Sequence, residues 1–294
     1  GEETRLIKSL EGKRAWPRVK PPFPAVEGLF RKPTVVNNVE TLACVTHIVD
    51  RGVEWFKSIG VPAHPQDPRD LGSYGPKLYC LSGHVNRPGC YEAPLGITCR
   101  ELIETYGGGV WQGRRAKAAI PGGLSMGLLS EAELDTPLDF TSLAKVQCLG
   151  LGTAAVVVLD ETVSMVDFLY NSCRFFAHES CGQCTPCRQG TAWALQIVSR
   201  IRAGQGRLCD LDLLLELADS MGIIPGTTIC GLADGAAWPI KNAIRKFRGE
   251  FEDYIRRTNP QGYARTEPVP ALPDLPHATT PLTTLRPPVE PCPR

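Results

Sequence analysis

The sequence predicts an α/β module followed by an all-helical segment, an α/β-plus-α chain. Three observations carry this. Residues 77 to about 160 alternate short apolar runs with turn signals and hold one well-capped helical stretch. Residues 163–257 then carry four amphipathic stretches of 12 to 17 residues with short links. No apolar run of the 294 residues approaches the ~20 needed to span a bilayer.

The first 72 residues are rich in loops. Lys20-Pro-Pro-Phe-Pro-Ala25 excludes a helix, because proline lacks the N–H donor and restricts the residue before it. Further on, Val39, Leu42, Val45 and Val49 form a helical stripe. Val61-Pro-Ala-His-Pro-Gln-Asp-Pro68 reads as a linker.

In the module, Lys77–Ser82 and Gly89–Ala93 are strands around the turn Asn86-Arg-Pro-Gly89. Thr98–Tyr106 is a helix with Thr98 as cap, Glu101 three residues on, and Gly107-Gly-Gly109 ending it. Lys117–Ile120 and Ala154–Leu159 supply further strands. Two strands, a helix and two strands in this length suit a β-grasp module over residues 73–160. The helices Val163–His178, Cys187–Ala203, Asp210–Met221 and Lys241–Arg257 suit a four-helix bundle over 161–257. The last 37 residues, 258–294, hold 10 prolines and cannot build a core, so they are expected to be a disordered tail.

Charge excludes some functions. Lys plus Arg is 32 against Asp plus Glu at 31, which leaves no electrostatic footprint for nucleic acid or an anionic membrane. The chain opens Gly1-Glu2-Glu3-Thr4 without Met or a signal peptide, and reads as a fragment lacking its N-terminal part. Its 12 cysteines are too sparse for a disulfide scaffold yet numerous enough to raise metal binding.

The sharpest signal is Glu179-Ser-Cys181-Gly-Gln-Cys184-Thr-Pro-Cys187, three cysteines at C-x2-C-x2-C spacing. A [4Fe–4S] cube takes one outside ligand per iron, and two-residue spacers let one loop reach three corners. The fourth ligand must be remote. Cys230, in Thr227-Thr-Ile-Cys-Gly-Leu-Ala233 between two predicted helices, is the best candidate; Cys209, at a helix start, is its rival. Pro186 suits the first helical position, so that helix would aim its positive end at an anionic cluster, with Arg188 adding a cation. Zinc is the competing reading, but zinc sites usually show two C-x2-C pairs and Cys230 lacks a partner at that spacing. Unligated thiols are the third reading. Cys44, Cys80, Cys90, Cys99, Cys148 and Cys173 read as core thiols. On residue type alone, Gly1-Glu2-Glu3-Thr4 and Asn37-Asn38 are a polar turn and a helix cap.

Several blocks in order resemble a known family: Gly1–Thr4, Ser9-Leu-Glu-Gly-Lys-Arg14, Pro21-Pro-Phe-Pro-Ala25, Lys32-Pro-Thr34, Asn37-Asn-Val-Glu-Thr-Leu42, Glu179–Cys187, and Ile229-Cys230 with Ala236-Ala-Trp-Pro239. Together they resemble the NADH-binding flavoprotein of respiratory complex I, over roughly residues 1–257. The resemblance implies that residues 1–72 are the remainder of a Rossmann-like FMN and NADH domain. It implies hydride transfer from NADH to FMN and single-electron transfer to one [4Fe–4S] cluster. The wire then runs through partner subunits, including a thioredoxin-like [2Fe–2S] protein, to quinone. It implies cluster ligation by Cys181, Cys184, Cys187 and Cys230. Gly1, Glu2 and Glu3 would form the flavin and nicotinamide loop, the two glutamates at the reaction. Asn37, Asn38, Thr41, Gly231 and Leu232 would contact the flavin. It places the chain in a peripheral arm on the cytoplasmic face, if the source is bacterial.

The family's glycine-rich flavin loop and nicotinamide-gripping aromatics lie upstream in that family and are missing from this sequence. The expectation is weak flavin binding and no activity from these 294 residues alone. Diaphorase subunits of NAD-reducing hydrogenase, formate dehydrogenase or electron-bifurcating hydrogenase share the same parts. The bifurcating type is disfavoured, because the tail offers only Cys292. A zinc-stabilised scaffold or ligand-binding protein is the non-redox alternative.

Overall fold

The computed structural model describes residues 2–66, 70–222 and 227–262. The chain begins with helix α1 (Glu3–Leu10), whose cap is Glu2. Helices α2 (Val39–Arg51) and α3 (Val53–Lys57) follow the proline-rich loop. The predicted stripe does lie on α2, and Asn38 caps it through Glu40 N–H at 2.9 Å. Yet Val39 is 79% and Val49 82% exposed. An amphipathic helix buries its stripe only where a partner exists, and none of the described residues covers this one.

Strands β1 (Gly60–Val61) and β2 (Ser73–Tyr74) pair antiparallel across the expected linker, a pairing too short to leave a periodic signal. Pro68 of that linker lies outside the described residues, as does the tail beyond Gly262. The main sheet has five strands in the order β4-β3-β7-β5-β6. These are β3 (Pro76–Gly83), β4 (Gly89–Pro94), β5 (Ala116–Ile120), β6 (Leu129–Ser130) and β7 (Ala155–Asp160). β3 and β7 run parallel at the centre; the other pairs are antiparallel. The two-residue β6 has no counterpart among the expected strands.

The sheet separates two cores, and period-two alternation assigns each residue to one. Val156 and Val158 of β7, with Tyr79, Leu81 and Ala119, face the segment around Leu102, Leu138 and Leu143. Val157 and Leu159, with Ala118 and Ile120, face the helices. The expected helix Thr98–Tyr106 widens part-way along. α4 (Cys99–Glu101), capped by Thr98, runs into a π-turn over Leu102–Tyr106, closed by Gly107 N–H on Leu102 O at 2.9 Å. A short helix α5 (Ser142–Lys145) precedes β7.

The four expected helices are α6 (Met165–Glu179), α7 (Thr185–Arg200), α8 (Cys209–Met221) and α9 (Leu232–Thr258). The largest correction is α9, which starts nine residues before the expected Lys241 and runs through Pro239. Proline normally stops a helix by removing a hydrogen bond and crowding the carbonyl four residues back. That carbonyl belongs to Gly235, and small Ala233, Gly235, Ala236 and Ala237 are all buried there. A Cβ on Gly235 would come within 2.7 Å of Ser125 Oγ. Close packing on that loop holds the turn helical despite the missing donor. α7 also begins two residues early, with Cys184 as its cap and Pro186 in its first turn.

Asp160 ends β7 fully buried. Its carboxylate accepts bonds from Thr162 Oγ1 at 2.6 Å and Arg114 at 3.0 Å. Burial alone would raise its pKa, but these bonds outweigh burial and lower it from 3.8 to about 2. A carboxyl acidified by folding stabilises the fold above its unfolded pKa, and that contribution fades as pH falls through the folded value. Urea unfolding of wild type and Asp160→Asn should therefore differ most above pH 4 and converge towards pH 2. An equal gap at pH 7 and pH 2 would refute this.

Candidate metal centre and adjoining cleft

Two helix starts build the centre. The loop after α6 carries Cys181, then Gly182 in the left-handed region at φ 79°, then Cys184 at the cap of α7 and Cys187 in its first turn. Cys230 immediately precedes Gly231, the cap of α9. The positive ends of both helices therefore meet at the thiols, an arrangement that favours a bound anion. Cys181, Cys184, Cys187 and Cys230 line one pocket, all as free thiols. Cys209, the rival, is exposed at the start of α8 and is not among the residues lining it.

The polar surroundings are aimed at sulfur. Ile229 N–H donates to Cys184 Sγ at 3.2 Å, and Ser180 Oγ lies 3.4 Å from Cys187 Sγ. Such bonds stabilise thiolate charge and tune a bound cluster. Burial pushes the Cys187 and Cys230 thiols up, and neighbouring cysteines push further. Ser180 opposes this at Cys187, and the Leu232 backbone and Arg5 oppose it at Cys230. Thiols that hinder one another's ionisation in one pocket fit the positive iron–sulfide core of a cluster, which favours their thiolates, while the thiolate-ligated cluster as a whole is the anion. Among the described residues no three His, Cys, Asp or Glu side chains converge tightly enough for a single metal ion. A cube needs no such convergence, because each thiolate meets a separate iron.

Against this pocket lies an open cleft of about 1360 Å³. Glu2, Glu3, Asn37, Asn38, Gly231 and Leu232 all line it, so the structure gathers six of the eight residues expected around a flavin. Thr41, exposed on α2, is not among its lining residues, and Gly1 lies outside the described residues. Cys230, Leu232 and Arg5 line both the thiol pocket and the cleft. Lys20 gathers the acids: Nζ is 3.1 Å from Glu2 Oε1 and also pairs with Glu3. Burial alone would raise the Glu2 carboxyl, but bonds from Thr4, Lys20 and the Arg5 backbone hold it below the usual value. The Lys20 bond lowers Glu3 likewise. Two carboxylates at the mouth are thereby kept ionised.

Sequence reasoning missed Arg5, Phe23, Ser125 and Met126 at the cleft, and Pro17 and Thr228 at the pocket. Arg5 carried a findable signal, since it adjoins the Gly1–Thr4 block. Ser125 and Met126 come from the sheet module and had none.

Residues 167–254, which contain all four cysteines, match the NADH-ubiquinone oxidoreductase-F iron-sulfur binding region, and residues 78–129 match an SLBB domain. The chain is 51% identical over 255 residues to the NADH-quinone oxidoreductase F 2 subunit of Rhizobium meliloti, covering 87% of this chain and 58% of that protein. It is 49% identical to the NADH-quinone oxidoreductase F subunit of Mycobacterium bovis, covering 87% and 54%. The chain thus spans a little over half the length of these curated relatives. Among solved structures it resembles a chain of the air-oxidized NAD+-reducing [NiFe]-hydrogenase, with a TM-score of 0.76 and 35% identity, covering 92% of this chain and 42% of that one. By sequence this chain is a homologue of NADH-quinone oxidoreductase F subunits over 255 residues, with a match to the oxidoreductase-F iron–sulfur binding region after an SLBB domain.

Proposed function

We propose that the chain is part of the electron-input component of an NADH:quinone oxidoreductase, and the observation that carries this is the shared wall. Cys230 and Leu232 line both the four-thiol pocket and the cleft with the paired acids and amides. FMN and a [4Fe–4S] cluster, when bound, supply the change from two-electron transfer with NADH to single-electron transfer onward. Cys181, Cys184, Cys187 and Cys230 would hold the cluster. Asn37, Asn38 and the Gly231-Leu232 backbone would offer donors and acceptors to the isoalloxazine edge. Glu2 and Glu3, kept ionised by Lys20, present carboxylates where the nicotinamide and its ribose would dock. With both groups bound, the common wall of Cys230 and Leu232 would lie between them.

In this reading, residues 1–72 are the remainder of the Rossmann-like flavin domain and 73–160 a β-grasp domain. The sheet order with parallel central β3 and β7 supports the latter. Residues 161–257 are the cluster-bearing bundle. The partners are the other peripheral-arm proteins of such a complex, above all a thioredoxin-like [2Fe–2S] protein, on the cytoplasmic face. No described helix is long and apolar enough to cross a membrane. The hydrogenase likeness supports a second reading, the diaphorase component of a soluble NAD-reducing hydrogenase. The two share the site and differ in the acceptor.

Anaerobic reconstitution should load about four irons and four sulfides per chain, with a rhombic low-temperature EPR signal after reduction. Stoichiometric zinc without that signal would overturn the redox reading. FMN titration of the 294-residue chain should show weak binding or none, because it spans only a little over half the length of its curated relatives. Tight stoichiometric quenching of flavin fluorescence would show that the cleft suffices alone.

A further inference from the structure

We propose that Cys80 and Cys90 form a thiol–disulfide exchange site at the exposed β3–β4 edge of the sheet module, open to small disulfides of the glutathione class. The two residues are direct partners in the antiparallel β3–β4 register. Cys80 N–H donates to Ala154 O at 3.0 Å, on the β7 side of its strand. The peptide groups of Cys80 therefore turn away from β4, and the pair occupies a non-hydrogen-bonded position. At such positions Cα atoms stand about 4.5 Å apart, inside the range of about 4.4–6.8 Å that a disulfide spans. The sulfurs already lie 3.8 Å apart. Rotation about the two Cα–Cβ bonds is the main movement needed to reach ~2.05 Å.

Accessibility separates this pair from most other thiols. Alternation along β3 buries Tyr79 and Leu81 on one face and leaves Cys80 on the other; Cys90 is likewise exposed. Cys99, Cys148 and Cys173 are buried, out of reach of a dissolved disulfide, whereas Cys90 stays exposed although its hydrogen bond with Cys80 pushes its thiol up. Cys181, Cys184, Cys187 and Cys230 belong to the proposed cluster. Cys209 is exposed on α8, a different element.

The chemistry balances in two exchanges. One protein thiolate attacks a sulfur of oxidised glutathione, forming a mixed disulfide and releasing one glutathione thiolate. The other protein thiolate then attacks the protein sulfur of that mixed disulfide and releases the second glutathione. Two protein thiols lose two electrons and two protons, and one small disulfide becomes two thiols. The product would staple edge strand β4 to β3.

The test is oxidised glutathione added to the reconstituted chain, followed by chymotryptic mass mapping. The expected product is a Cys80–Cys90 crosslink with loss of two hydrogens, no retained glutathione, and a raised melting temperature. Cys80→Ser and Cys90→Ser should each stop at one bound glutathione on the remaining partner. Phenylarsine oxide should bind once per chain and block both sulfurs. Two stable glutathione adducts, an unreacted pair, or a crosslink to Cys44 or Cys209 would overturn the proposal. The serine variants should keep the cluster EPR signal, so failure here is separable from failure of the redox assignment.

Discussion

Cys230→Ser should reduce the iron bound after reconstitution from about four per chain to three or fewer, and should change or abolish the EPR signal of the reduced cube. Cys209→Ser should leave both untouched. The expectation rests on placement. Cys230 shares a pocket with the three cysteines of the 181–187 loop, whereas Cys209 is exposed at the first residue of α8. Serine keeps the shape of the side chain, and Gly231 and Leu232 still start α9, so the helical far-UV circular dichroism should persist. The reverse result, with Cys209→Ser losing iron and Cys230→Ser keeping it, would sink the assignment.

Asn242→Leu and Lys246→Met should each destabilise the fold by about 1–3 kcal/mol, because the first leaves the buried Leu128 N–H without its acceptor and the second removes the shared donor to Leu128 O, Val146 O and Glu133. Both residues lie one turn apart on α9 and reach into the sheet module. Asn242 is fully buried; Leu128 N–H donates to its Oδ1 at 2.8 Å, and its Nδ2 donates to Gln147 O at 3.0 Å. Lys246 Nζ donates to Leu128 O at 2.7 Å, Val146 O at 2.8 Å and Glu133 Oε2 at 2.7 Å. Losing the ammonium also strands the Glu133 carboxylate, whose pKa Lys246 helps hold down against the raising effect of burial. Both side chains act on Leu128, so the double variant should cost less than the sum of the singles. Urea unfolding checks this, and the weakened joint should let the sheet module and the bundle melt in separate transitions. A change within about 0.5 kcal/mol of wild type, the range of an ordinary surface substitution, would refute it for either variant.

The two variants mark where sequence reasoning stops. Asn242 and Lys246 read as ordinary polar positions on an amphipathic helix, and their partners Gln147 and Leu128 lie far back along the chain. Capping was legible, because an Asn38 or Thr98 side chain bonds a backbone N–H two or three residues on. The start of α9 was not. Pro239 argued locally for a break, and only packing of Gly235 and its alanine neighbours on the Ser125 loop overrode it.

The same division runs through the site. By itself the sequence determined what its local spacing could encode: three thiols on one loop, a fourth before a helix, strand and helix periods, and ordered blocks that resemble one family. These are interactions between near neighbours, and near neighbours lose little chain entropy in meeting. The tertiary structure decided which distant groups share a wall. It brought Glu2, Asn38 and Leu232 to one cleft, chose Cys230 over Cys209 as the thiol beside the loop, and set Cys80 opposite Cys90. Those meetings depend on how two cores pack on opposite faces of one sheet. No short-range pattern carries that information.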